Sequence, residues 1–413
     1  MEIKHLTTLA LCPEYTTSNN NNKKKRRQYE ALALFINSIM MVDLFRLVVP
    51  NVGVVSVLRD SLYVFGFLYM LYHSVNNHKV SIPVSIIVVY SMLAILTVIA
   101  YPGIGSVVGS GSLIFITRCV PAFYFVRYLN DYILLRKVLK KYYMIQFVYC
   151  IIYIINHQGY ITDGSYMTFS YNILLLTVLL LLSVFEKPSL LRILGSVFFV
   201  SIILIYGARG PIACIGISLV LFVLYKNRNI SLAKRIVLLL VISLVVVVII
   251  TSFDNIISIL RRINPSSRTL YMIEQLNLFD SSGRSSIHEA ILSEVNKNWL
   301  LPHGIYSDRV FLATLYGGDY ADYYSHNIGI ELLYQFGGVL GVLAITWLVS
   351  YCIRADILLN EIEDESTAIM FFGFLTGIST LLFSSSYLIN ERGWLFMGFV
   401  FAIINTAKKS QKK

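Results

Sequence analysis

The chain has 413 residues, of which 56% are hydrophobic and 14% charged, with a formal net charge of +11 and a mean hydropathy of +0.69. Such usage excludes an ordinary soluble domain and implies an all-α integral membrane protein; the apolar runs are continuous rather than alternating, which excludes a membrane β-barrel. Nine of the net charges come from two terminal clusters, Lys23 to Arg27 and Lys408, Lys409, Lys412 and Lys413, so the excess belongs to membrane-flanking tails and nucleic acid is not expected as a partner.

A helical span needs roughly 20 apolar residues to cross a hydrocarbon core about 30 Å thick. After a basic tail at residues 1–28, runs at 30–49, 57–74, 80–100, 110–129, 140–157, 168–185, 189–206, 210–225 and 236–253 give nine predicted helices within 29–253. The first run starts some 30 residues in and is long enough to span, so it is read as a retained helix rather than a signal peptide. A long polar segment follows at 254–326. Spans at 327–352, 366–388 and 392–407 fill residues 327–407, and a second basic tail closes the chain at 408–413. The expectation is about twelve transmembrane helices with one large, partly helical extracytoplasmic loop.

Orientation follows from the placement of Lys and Arg in short loops. Both tails, and the loops holding Arg136, Lys137, Lys140 and Lys141, then Lys187 and Arg192, then Lys226, Arg228, Lys234 and Arg235, read as cytoplasmic. The intervening loops around 101–112 and 157–172 contain no Lys or Arg. Residues 254–326 then face the other side. The five cysteines offer no external disulfide and no metal-ligand spacing. No nucleotide-binding glycine loop and no repeat relating the two halves is present, which counts against a pump or secondary transporter.

Polar residues in costly or geometrically defined places are the candidates for chemistry. Arg209 lies in Tyr206-Gly207-Ala208-Arg209-Gly210-Pro211, a tight turn between spans, and its permanently charged fork suits phosphate oxygens; the competing reading is an interfacial arginine on lipid headgroups. Arg284 precedes Ser286-Ile287-His288-Glu289, which has capping-box spacing with Ser286 as N-cap. The helix it starts would carry Ile287, Ala290, Ile291 and Val295 on one face, and its N-terminus would favour an anion beside Arg284. His326 heads the tenth span in Ser325-His326-Asn327, placed to accept a proton from a hydroxyl. Tyr324 beside it could stack on a sugar, although interfacial tyrosines are common. Glu331 follows five residues after His326. Asp43 with Arg46 share a face of the first span, and Arg118 and Arg127 interrupt the fourth. Arg127 is expected to snorkel to the cytoplasmic surface.

Taken in order, Ala208-Arg209-Gly210, Ser282-Gly283-Arg284, Pro302-His303-Gly304, His326-Asn327, Glu331 and Phe336-Gly337-Gly338 resemble the O-antigen ligase and polymerase superfamily over roughly residues 195–345. The expected Gly-x-Gly after the loop helix is here His303-Gly304. The resemblance implies an extracytoplasmic site for undecaprenyl-pyrophosphate-linked glycans in a bacterial cytoplasmic membrane, working without cofactor, metal or nucleotide sugar. It further implies that Arg209 and Arg284 bind the donor pyrophosphate and that His326 assists the acceptor, with Arg268, Tyr324, Glu331 and Arg118 as further substrate-binding candidates. A chain-length regulator is a partner by resemblance alone.

The chemistry stands independently of the resemblance. Breaking an anomeric carbon–pyrophosphate bond develops negative charge on the leaving group, which two preorganised arginines can stabilise as a metal would. A sugar hydroxyl attacks as a nearby base takes its proton, and direct displacement inverts the anomeric carbon. The expected activity is a glycosyltransferase polymerising polysaccharide repeat units of the O-antigen, capsule or exopolysaccharide kind. A ligase uses the same donor; usage rich in Ile, Asn and Lys suggests a low-GC genome without a lipid A core and favours the polymerase. A lipid-linked glycan flippase is the competing class, with Asp43, Arg46 and Arg118 lining its cavity.

Overall fold

The computed structural model describes residues 13–49, 52–128, 131–156, 165–206, 208–228, 284–321, 323–362 and 364–410. The protein is all-α, with no strand among the described residues. The predicted ninth span at 236–253, and Arg268, lie outside them.

The N-terminal half comprises α1 (Pro13–Ile36), α2 (Ser38–Val48), α3 (Val52–Asn76), α4 (Ser81–Ala100), α5 (Gly105–Ile114), α6 (Val120–Arg127), α7 (Tyr132–Leu139), α8 (Tyr142–Asn156), α9 (Ser165–Glu186), α10 (Leu190–Tyr206) and α11 (Arg209–Lys226). The remainder comprises α12 (Arg284–Lys297), α13 (Ser307–Tyr316), α14 (Ile328–Ile362), α15 (Glu365–Phe383) and α16 (Glu391–Ser410). Among the described residues eight helical stretches are long and apolar enough to cross a membrane, and nine if the bent pair α1–α2 counts as one. α10 is apolar but has 17 residues, and α16 opens on Glu391-Arg392 and ends on lysines.

Two departures from uninterrupted spans have local causes. The first span bends by 58° between α1 and α2. There Asn37 bonds the Ala33 carbonyl at 2.8 Å and Ser38 the Phe35 carbonyl at 2.7 Å, side chains competing with the backbone ladder. The fourth span includes a π-helical turn at Phe115–Cys119, joining α5 to α6. Such turns recur at functional positions, and Arg118 sits in this one.

α15 and α9 form the centre of the bundle, enclosed by α6, α7, α8, α10, α11 and α16. Their directions define the two ends. Lys226, at the end of α11, pairs with Glu365 at the start of α15. Nearby Arg136 grips both oxygens of Glu186 at 2.7 and 2.6 Å and reaches Ser366. At the opposite end, Gly210 meets Phe383. The basic loops grouped by the sequence thus share one end of the bundle.

The described part of the polar segment folds onto the other end as α12 and α13. Ile291 and Val295 of α12 pack with Leu312 and Tyr334, flanked by Ile287, the face expected from the sequence. The helix begins at Arg284 rather than after Ser286. Tyr306 plugs the segment into the bundle, its hydroxyl 3.1 Å from that of Tyr90, which in turn bonds Ser112.

α14 is broken at Gly337 (φ 76°, ψ 164°). The backbone groups released at the break are met by the preceding loop: His303 Nδ1 lies 3.0 Å from the Tyr334 carbonyl, Gly304 N donates to the Gln335 carbonyl at 2.9 Å, and the freed Gly338 N–H donates to the Trp299 carbonyl at 2.8 Å. The Pro302-His303-Gly304 and Phe336-Gly337-Gly338 motifs therefore hold each other through backbone. A Cβ on Gly337 would lie 2.9 Å from the Leu301 carbonyl oxygen, and its dihedrals belong almost solely to glycine. Gly337→Ala is expected to cost about 1–3 kcal/mol of backbone strain before the displaced loop is counted, seen as a lowered thermal midpoint in detergent.

Candidate functional site

The site is organised by the carbonyl end of α15. A helix leaves its last carbonyls without internal partners, and its dipole makes that end attractive to cations. Here side chains from distant segments occupy it. Asn327 Nδ2 donates to the Leu382 carbonyl at 3.1 Å, Arg284 Nη1 to Phe383 at 2.5 Å, and the Tyr324 hydroxyl to Ser384 at 2.8 Å. Asn327 Oδ1 also caps the start of α14, accepting from Gly329 and Ile330.

Arg209 arrives from a separate element. It opens α11 after Ala208, whose extended backbone has no side-chain cap. Ala208 N donates to Ser170 Oγ at 3.2 Å. Gly210 lets α11 approach closely, since a Cβ there would stand 2.1 Å from the Tyr171 hydroxyl and 3.7 Å from Phe383 Cβ. Arg209 and Arg284 therefore converge on the same terminus of α15, each at the first residue of its own helix, where exposed N–H groups and the dipole add to the attraction for an anion.

His326 has a left-handed backbone (φ 55°). Its ring packs on Tyr324 with centroids 3.7 Å apart. Nδ1 is buried without a hydrogen-bond partner, and the Ser384 backbone lies against the ring. Burial, then the Arg284 charge, push the imidazole pKa down to about 4. At neutral pH the ring is an uncharged acceptor.

Behind His326 lies a polar network of which sequence reasoning placed only Glu331 in the site. His288, one turn after Arg284 on α12, sets Nε2 2.9 Å from the Ser325 carbonyl. Asp308 accepts from Ser325 N at 3.1 Å and from Gln335 Nε2 at 3.0 Å. Glu331 accepts from Ser386 Oγ, Gln335 Nε2 and Tyr387 N, and the Tyr387 hydroxyl donates to Gln335. Both carboxylates are buried, at 0% and 1% exposure. Burial raises the Asp308 carboxyl, opposed by neighbouring Arg309, which is itself buried beside the Tyr324 and Tyr306 rings. The residue before His326 is thus clamped on both sides. The only signals in the sequence were the four-residue spacing of Arg284 and His288 and the adjacent Asp308-Arg309.

The other candidates fall elsewhere. Glu331, expected as a substrate contact, has its carboxylate engaged inside this network, because its position one turn into α14 points inward. Arg118 lies 3.7 Å over the Tyr63 ring, away from the arginine–histidine cluster. Asp43 accepts from Asn172 Nδ2, whose carbonyl accepts from Arg392 at 2.6 Å; the first-span charge is thus tied to α9 and α16 as well as to Arg46. No group of three or more His, Cys, Asp or Glu side chains that could hold a metal occurs among the described residues.

Asp308→Ala would leave the Ser325 N–H and one of the two Gln335 amide N–H groups without an acceptor, the other keeping Glu331, at about 1–3 kcal/mol for each unsatisfied group. The expected result is a lowered thermal midpoint together with loss of activity, with Asp308→Asn recovering only part of either, because its one amide oxygen can accept from one of the two donors while its NH2 faces the other.

The arrangement presents two or three guanidinium groups and one neutral imidazole at one end of a helical bundle, a set suited to holding a doubly anionic group beside a hydroxyl. No curated protein matches the chain. Residues 194–345 match the family model described as O-antigen ligase, a range that contains Arg209, Arg284, His326 and the Gly337 break. Within this multi-pass, all-α membrane protein, residues 194–345 thus carry the domain described as O-antigen ligase.

Proposed function

We propose that the protein is a polysaccharide polymerase, transferring a glycan from undecaprenyl pyrophosphate to the non-reducing end of a second lipid-linked repeat unit. The observation that carries this reading is the bond from Arg284 to the last turn of α15 beside His326, with the start of α11 at Arg209 and Gly210 packed against the same turn. Arg284 and Arg209 hold the donor pyrophosphate, replacing part of the negative field of the α15 terminus. As the anomeric bond breaks, charge accumulates on the bridging oxygen, and the fixed guanidinium groups stabilise it without reorganisation. The acceptor hydroxyl donates to the His326 imidazole and attacks from the opposite face, transferring its proton late. The products are the lengthened glycan, with its anomeric carbon inverted, and undecaprenyl pyrophosphate.

In this reading residues 254–326 face away from the cytoplasm and both termini lie inside, in the bacterial cytoplasmic membrane. A chain-length regulator would act on the same face. The family description favours a second reading, a ligase using the same donor but passing the finished glycan to a different acceptor. The two are separated by incubating purified protein with a short lipid-linked repeat as both donor and acceptor. A ladder of products is the expected result; no ladder, with transfer to an added non-repeat acceptor, would establish the ligase. Movement of substrate across vesicles without elongation would identify a flippase.

A further inference from the structure

A cavity of about 480 Å³ opens on the flank of the bundle between α4, α6, α14, α15 and α16. Its walls are apolar, with Leu332, Ala344, Trp347 and Met397 among them, and one end reaches Ile328, next to Asn327 of the candidate site. At the far end stand Arg127 and Ser81. The Arg127 guanidinium lies 4.9 Å from the Phe401 ring and 5.5 Å from Phe123. Arg127 is half-buried: its guanidinium bonds the Tyr128 side chain, its Nε is buried without a hydrogen-bond partner, and no acidic side chain pairs with it among the described residues.

We propose that this groove is a specific site for one anionic phospholipid, whose acyl chain lies along the apolar wall and whose phosphate diester is held by Arg127. A guanidinium against two aromatic rings, with a neutral Tyr128 as its side-chain partner, favours an opposite charge beside it, and the described residues supply none here. The volume falls in the range of built ligand sites, about 300–1,000 Å³. Ser81 adds a hydroxyl, and the first turn of α4, which has no side-chain cap, adds free N–H groups to the same end. Arg127 thus lines the end of the groove while staying partly exposed. A free phosphate would leave the apolar wall uncovered. The polyprenyl chain of the glycan donor would carry its pyrophosphate to the arginines at the other end and leave Arg127 uncompensated. A phospholipid from the leaflet at the Arg127 end satisfies both halves of the groove, and it would wedge α4 and α6 against α14 and α16.

The test is native mass spectrometry of the full-length protein purified in mild detergent, followed by thermal denaturation with added dioleoyl-phosphatidylglycerol, dioleoyl-phosphatidylcholine, inorganic phosphate or a polyprenyl phosphate. The expected result is about one retained anionic phospholipid per chain. Retention should fall at least tenfold in Arg127→Gln and in Ala344→Trp, which fills the groove, and Arg127→Lys should keep a substantial share. Phosphatidylglycerol should raise the thermal midpoint of the wild type, with phosphate and phosphatidylcholine ineffective. Wild type without retained lipid, equal retention in Ala344→Trp or Arg127→Gln, or preferential retention of the polyprenyl phosphate would overturn the proposal. Should Arg127→Gln fail to fold, Arg127→Lys and Ala344→Trp still decide it. Arg284→Ala and His326→Ala should retain the phospholipid normally, so failure of the polymerase reading and failure of this one are distinguishable.

Discussion

Replacing Arg284 by alanine is expected to lower elongation by about a hundredfold to a thousandfold, the range for removal of one preorganised donor from a developing anion. The magnitude follows from its position. Arg284 begins α12, donates to the Phe383 carbonyl, and lies close enough to His326 for its charge to lower that imidazole. On the proposed reading one guanidinium would both bind the leaving group and, together with burial, hold the base unprotonated. Arg284→Lys keeps the charge but loses the fork, and an intermediate rate is expected. Folding should survive, because the apolar face of α12 through Ile291 and Val295 is untouched. Intact elongation in Arg284→Ala, measured on protein with an unchanged thermal midpoint, would remove the residue from the mechanism.

His326→Ala is the second large effect, a loss of about a hundredfold to ten-thousandfold if the imidazole serves as general base. Its pH dependence has a definite sign. A base works unprotonated, and the free protein holds this group near pH 4 through burial and the Arg284 charge. The acid limb of kcat/KM should therefore lie near 4 rather than near the ordinary histidine value of about 6.5, with a flat profile above. A bound pyrophosphate offsets the arginine charge, so the limb of kcat should lie higher than that of kcat/KM. In Arg284→Ala the kcat/KM limb should also move upward, while burial keeps it below the ordinary value. A limb near 6.5 in the wild type would show that the buried imidazole is not the group being titrated.

The bundle was legible because long apolar runs have one solution in hydrocarbon, a helix that satisfies its own backbone. Interruptions in those runs were not. The Asn37 bend depends on two side chains turning back on the ladder, and the Gly337 break depends on the Trp299–Gly304 backbone meeting it from outside; neither changes the hydropathy. Within the site, Arg209, Arg284, Tyr324 and His326 stood out because charged or titratable groups at turns and helix ends are placed by the chain itself. Their meeting point was hidden. The carbonyl end of α15 looks like any other helix end in sequence, and its use as a template depends on packing between segments some 55 to 100 residues apart. Glu331 shows the converse: its type and position suggested a substrate contact, yet helical rotation directs it to Gln335 and Ser386. Asp308 and His288 act through backbone atoms of Ser325, a relation that no spacing rule encodes.

The claim that the two arginines and the histidine form one transfer site is tested most directly by a double-mutant cycle on elongation of a short lipid-linked repeat. Groups acting as one unit are strongly non-additive. The Arg284→Ala/His326→Ala double variant should elongate no more slowly than the worse single variant, with Arg209→Ala joining the same pattern. Losses that multiply independently, or full elongation in any one of the single variants, would contradict a shared site.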